Sequence, residues 1–242
     1  MNFGHSGKNH FTRKSIPMFW KIVLLITFLD CHSAFAQVEV RNEPRHKNVF
    51  ENDYLRILDV HIRPGDTTLY HRHALPSVIV MLSSVETGSQ LLGGSPSSGK
   101  SRNGNTWYAG YGEKPIVHRV WNQDSKMFHV MDIELFLENA AEKMNPLNDE
   151  AFKLVFQEKG VNAYSMNLLP SKEIKSKPYD RAQLLVCTSG KLEFHSNKKA
   201  SMIPLENGGY VWIDPGETYR LVNSGEEEAS ADLIELPGKY KN

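Results

Sequence analysis

From Gln37 onward the apolar positions come in short, strand-length blocks, with little helical period. Tyr54-Leu-Arg-Ile-Leu-Asp-Val60 runs into the turn signal Arg63-Pro64-Gly65, and Ser77-Val-Ile-Val-Met-Leu82 is a β-branched apolar block. Lys126 to Leu135 alternates, placing His129, Met131, Ile133 and Leu135 on one face. Residues 83–105 are rich in Gly and Ser and predict a long hairpin or loop. One short helix is expected over 145–156, where Pro146, Asn148 and Asp149 are start signals. The pattern as a whole predicts an all-β chain.

The blocks repeat. His118-x-x-x-Asn122 is echoed by Tyr219-x-x-x-Asn223, and Ile133-Glu134-Leu135 by Ile234-Glu235-Leu236, both at an offset of 101. Pro64 and Pro170 close similar strands at an offset of 106. Two copies of one antiparallel unit, each of about 100 residues, follow from this. Many short strands divided by turn residues are best accommodated in closed barrels or jelly rolls, which leave no long bare edge. The boundary is expected between residues 140 and 150, giving domains 37–142 and 143–242.

Residues 1–36 follow another pattern. Lys8, Arg13, Lys14 and Lys21 precede the apolar run Ile22–Leu29, and Ala34-Phe35-Ala36 follows it. The run is shorter than the ~20 residues that span a bilayer. A signal peptide cut after Ala36 is expected, with an uncleaved anchor as the alternative. The mature protein would then be periplasmic or secreted, with no membrane attachment. The 242 residues carry 28 basic and 28 acidic side chains; losing four bases and Asp30 leaves a net charge of −3. Nothing in that balance points to nucleic acid. Of the two cysteines only Cys187 would remain, so no internal disulfide is available and Cys187 is expected in the core.

Chemistry concentrates in Gly65-Asp-Thr-Thr-Leu-Tyr-His71-Arg-His73. Residues i and i+2 of a strand share a face, so both imidazoles aim into one space. His118 lies on a later strand. By itself a His-x-His pair is weak evidence, more often an ordinary structural pair than a ligand pair. Three converging neutral imidazoles, however, suit a divalent Fe, Zn, Mn, Ni or Cu ion and leave coordination positions open. Tyr70, Ser77, Trp107 and Asn122 are the candidates for the surrounding pocket, with Tyr111 and Glu134 as further neighbours. His46 and His61 fall outside the pattern and are expected to be ordinary, and His129 reads as a core or surface histidine.

These residues resemble the two motifs of the cupin superfamily. Gly65, His71 and His73 match the first motif, but Ser77 stands at its glutamate and Ser84 at its last glycine. Pro115, His118 and Asn122 match the second, which lacks its inner glycine and is one residue short. In the second repeat Gly209, Pro215, Gly216 and Asn223 keep the pattern, while Tyr219 takes the histidine position. Gln183 takes the glutamate position, and Lys177 and Tyr179 the His-x-His positions. The resemblance implies a bicupin: two tandem double-stranded β-helix (jelly-roll) barrels, the first metal-binding and the second degenerate. It also implies a small-molecule ligand and homodimer formation through edge strands. Three-histidine cupins include metal-dependent dioxygenases, which motivates an enzymatic reading. The alternative is a non-catalytic periplasmic bicupin that binds a small molecule or metal.

Overall fold

The computed structural model describes Met1, residues 37–136 and residues 142–237. The expected leader, apart from Met1, lies outside the described residues. The first repeat holds ten strands: β1 (Val38–Glu39), β2 (His46–Glu51), β3 (Leu55–Ile62), β4 (His71–His73), β5 (Ser77–Met81), β6 (Glu86–Leu91), β7 (Ser97–Lys100), β8 (Thr106–Ala109), β9 (Ile116–Asn122) and β10 (Phe128–Leu135). The second holds nine: β11 (Lys153–Glu158), β12 (Val161–Leu168), β13 (Glu173–Lys175), β14 (Ala182–Ser189), β15 (Leu192–Ser196), β16 (Ile203–Leu205), β17 (Tyr210–Ile213), β18 (Tyr219–Asn223) and β19 (Ala229–Leu236). The expected hairpin over 83–105 is β6–β7, paired from Glu86↔Lys100 to Ser89↔Ser97.

The expected helix over 145–156 does not form. Asp149 accepts hydrogen bonds from the backbone of Ala151 and Phe152, which closes a turn, and Lys153–Glu158 then pairs with β12 as a strand. A side chain that bonds its own backbone two residues on favours a turn as much as a helix start. Here the sheet needed an edge strand.

Each repeat is a two-sheet jelly roll. The first has an outer sheet in the order β1-β4-β9-β6-β7 and an inner sheet β2-β3-β10-β5-β8; the second has an inner sheet β11-β12-β19-β14-β17 and an outer sheet β13-β18-β15-β16. Three apolar cores fill the spaces. Leu58, Val60, Ile62, Phe128 and Val130 line the first barrel. Tyr164, Leu185, Phe194, Leu221 and Leu233 fill the second. Between the two inner sheets lie Leu55, Ile57, Val78, Val80, Met131, Ile133 and Leu135 of one repeat against Val161, Leu184, Val186, Ile234 and Leu236 of the other. An inner sheet is thus covered on both faces, which is why β5 and β14 read as continuous apolar runs and do not alternate. Burying one such Leu or Ile contributes about 1.5–3 kcal/mol.

The repeat is also visible in its polar locks. Asn122 Nδ2 donates to the carbonyls of Ile62 (2.9 Å) and Lys126 (2.7 Å), and its Oδ1 accepts from Asp124 N. Asn223 does the same with Leu168, Glu227 and Gly225. The turn before each lock needs a left-handed residue: Gly65 at φ 73° in the first repeat, and Ser171 at φ 60° in the second. Asparagine is therefore a strand lock in both halves and does not face the cavity.

One buried carboxylate sits between the repeats. Asp232 shares a face of β19 with Ile234 and accepts a short hydrogen bond from Thr106 of β8. Burial pushes its pKa up to about 6.

Two stability measurements test these contacts. Asn122→Ala and Asn223→Ala each strip two buried carbonyls of their donor, at a cost of about 1–3 kcal/mol per orphaned group. Chemical denaturation should show a loss above 2 kcal/mol for each variant; a loss below 1 would remove the lock. Asp232 binds its proton more tightly folded than unfolded. Stability is therefore highest below about pH 4 as far as this group is concerned, and it falls as pH rises through about 6, by on the order of 3 kcal/mol. Asp232→Asn should be more stable than wild type at pH 7.5 and lose that advantage at pH 4.5, as read from melting temperatures.

Candidate metal centre

The outer sheet of the first barrel brings the predicted histidines together. β4 and β9 are antiparallel with His71 directly opposite His118, and His73 sits one pleat along on the same face. The ring centroids form a nearly equilateral triangle: His71–His73 4.9 Å, His71–His118 4.7 Å and His73–His118 4.9 Å. His73 Nε2 and His118 Nε2 are 3.1 Å apart. Two imidazole nitrogens bound side by side at about 2.1 Å from one ion would stand about 3 Å apart, so the residues present fit a divalent metal.

Their surroundings favour lone pairs over protons. Burial, reinforced by the neighbouring imidazoles, holds the His71 pKa down to about 3 and that of His118 down to about 2. His71 Nδ1–H donates to the Leu69 carbonyl at 2.9 Å, leaving Nε2 with the free pair. His73 Nδ1 faces Asp132 Oδ2 at 3.3 Å. Both Asp132 oxygens are buried without a hydrogen-bond partner.

The histidines open on a cavity of about 250 Å³ between the two sheets of the first barrel. Its walls are mostly apolar, including Val60, Ile62, Ile79, Val120 and Phe128, with Trp107, Tyr111 and Asp132 at the polar positions. The Tyr111 ring lies 4.9 Å from that of His73. Burial, then the nearby Asp132, pushes its phenol up to about 12, so it stays a hydrogen-bond donor at neutral pH. A side chain at Gly88 would run into the indole of Trp121, its cross-strand partner, on the face of the sheet turned away from the cavity.

Of the four pocket residues expected from sequence, Trp107 lines the cavity and three are placed elsewhere. Tyr70 alternates to the other face of its strand, where its hydroxyl donates to Gln90 and its ring meets Arg119. Ser77 is wholly buried, opposite Glu134, with its hydroxyl near the Leu75 carbonyl at 3.4 Å. Asn122 is the strand lock already described. Glu134 turns inward but pairs with Arg56 at 2.8 Å.

Two cavity groups have no counterpart among the expected residues. Asp132 was legible from parity: on β10 the odd residues face the second repeat, so Asp132 must face the first barrel with Val130. His46, on β2, lines the cavity with its ring 4.6 Å from that of His71. Its only sequence signal is Glu43, three residues earlier. A second group, Asp59 with His61 and His129, lies on the other face of the inner sheet; His129 Nε2 is 2.7 Å from Asp59 Oδ1, and the two rings stack at 4.1 Å.

The second barrel is built differently at the matching position. Tyr219 stacks on Phe194 at 5.2 Å, with its hydroxyl buried and unpartnered. Tyr179 donates to Asp149 at 3.1 Å. Cys187 is fully buried in that core, and burial pushes its thiol up to about 11.

No family model matches this sequence, and no curated protein matches it. Solved structures do. AerE from Microcystis aeruginosa superposes with a TM-score of 0.55 at 13% identity, covering 80% of this chain and 98% of its own. YhhW from Escherichia coli gives 0.55 at 15% identity, over 83% of this chain and 91% of its own. Oxalate decarboxylase from Bacillus subtilis, a protein with Mn(II) centres, gives 0.51 at 10% identity, over 78% and 70%. Two jelly rolls back to back, together with these superpositions, show that this chain has the bicupin fold.

Proposed function

We propose that this chain is a metal-dependent bicupin that holds one divalent ion on His71, His73 and His118 and presents it to a small molecule in the first barrel. The observation carrying this reading is the imidazole triangle, set in the wall of a cavity of about 250 Å³. An ion there supplies Lewis-acid or redox chemistry. With Ser77 at the position of the motif's glutamate, the ligand set is uncharged, which favours an anionic oxygen donor on the bound molecule. The remaining roles belong to the protein. The Leu69 carbonyl holds His71 in orientation, the apolar walls exclude water, and the Tyr111 hydroxyl offers a donor.

Asp132 favours catalysis over simple binding. A buried carboxylate with no hydrogen-bond partner, beside the cavity and within reach of His73, is placed to accept a proton from a bound molecule. A three-histidine centre of this kind suits oxygen-dependent cleavage of a small organic molecule. The Mn(II) centres of the B. subtilis neighbour make manganese a candidate beside iron. The Ala34-Phe35-Ala36 site supports an exported, periplasmic or secreted setting for this work.

Elemental analysis of purified protein tests the centre. Wild type should carry about one equivalent of metal, and His71→Ala and His118→Ala under a fifth of that; equal contents would end the proposal. With iron or manganese loaded, oxygen uptake should appear with at least one member of a panel of thiols, diketones and catechols. Asp132→Asn should lower that rate by about 10²-fold or more while keeping its metal. Uptake with none of the panel would favour the non-catalytic binder. Export is checked by sequencing the mature N-terminus, expected at Gln37.

A further inference from the structure

We propose that His46, from a strand outside both cupin motifs, is a fourth ligand of this centre, which makes it an all-imidazole, four-histidine site. The inference rests on the three-histidine reading above and extends it.

Spacing is the first support. Two imidazoles bound at about 2.1 Å to one ion have ring centroids about 4.5 Å apart when adjacent and about 6.5 Å apart when opposite. His46 is 4.6 Å from His71 and 6.4 Å from His73. The other three pairs, at 4.7–4.9 Å, all match adjacent positions. The ligand nitrogens of His46, His71 and His73 also lie within 4.8 Å of one another. The set therefore matches one ion with His46 opposite His73, and His71 and His118 beside both of them or beside His73. A histidine that merely packed near the triangle need not satisfy both distances.

Orientation is the second. His46 Nδ1 lies 2.8 Å from Glu43 Oε2. Glu43 is fixed as an acceptor: it is 1% exposed and takes further hydrogen bonds from the backbone of Arg45 and Leu69 and from the Arg45 guanidinium. The proton of His46 therefore sits on Nδ1 and the lone pair on Nε2, the arrangement of a carboxylate–histidine–metal chain. Leu69 joins the two supports, since its N–H binds Glu43 while its carbonyl binds His71 Nδ1. One residue thus orients both rings.

Chemistry is the third. The carboxylate that the cupin motif would supply is replaced by Ser77, whose hydroxyl is buried away from the triangle. His46 supplies a fourth donor from another strand. Four neutral ligands would leave the full charge of the ion uncompensated within its ligand shell.

The test loads full-length protein with Co(II), counts imidazoles by X-ray absorption, and measures Kd by chelator competition. Wild type should show four imidazoles, and His46→Gln three, with Kd raised at least tenfold. Glu43→Gln should raise Kd about 10- to 100-fold. His195→Gln, in the second repeat, is the unaffected control. Three imidazoles in wild type, or a His46→Gln Kd within twofold of wild type while His71→Ala abolishes binding, would overturn the fourth ligand and leave the triangle standing. No Co(II) bound by wild type would overturn both. If His46→Gln proves unfolded by circular dichroism, the wild-type imidazole count decides alone.

Discussion

The packing of the two inner sheets against each other governs the rest of this molecule. Leu55, Ile57, Met131 and Ile133 on one side and Leu184, Val186 and Ile234 on the other are all fully buried. Side chains alternate along a strand, so pinning one set of residues to the shared core points the other set into a barrel. On β10 this fixes Met131 and Ile133 outward and Asp132 inward. On β3 it fixes Ile57 outward and Leu58, Val60 and Ile62 inward. The cavity walls and its carboxylate are therefore aimed by contacts made on the opposite face of the sheet.

The two repeats put the same frame to different uses. Asn122 and Asn223 make matching hydrogen bonds, and the same turn precedes each, although a serine must adopt the left-handed backbone in the second copy where a glycine does so in the first. Where the first barrel has His118 facing a cavity, the second has Tyr219 stacked on Phe194. Aromatic volume occupies the room that ligands and a small molecule would need. Backbone locks and barrel contents are separable: the first set the fold, and the second set the chemistry.

Most of the architecture was legible in the sequence because it depends on repetition and strand patterning, both local or periodic signals. The His-x-His spacing and the offset of His118 from Tyr219 pointed to the imidazole triangle for the same reason. Three features were not legible. Residues 145–156 carry signals that serve a turn as well as a helix, and the need for an edge strand, a tertiary matter, decided between them. Tyr70 and Asn122 sit near ligands in sequence, but strand parity turns one away from the cavity and backbone carbonyls claim the other. His46 belongs to no motif and reaches the cavity only through the pairing of β2 with β3, which no single segment encodes.

The filled second barrel bears on how such a chain can change over generations. Its positions that match the histidines, Tyr219 among them, take no part in the imidazole triangle. Ala182, Leu184, Val186, Ile234 and Leu236 do matter to it, because they form half of the wall against which the histidine-bearing repeat is built. The second repeat thus serves as a foundation, and a change on the face it turns toward the first reaches the histidine cavity through the shared core.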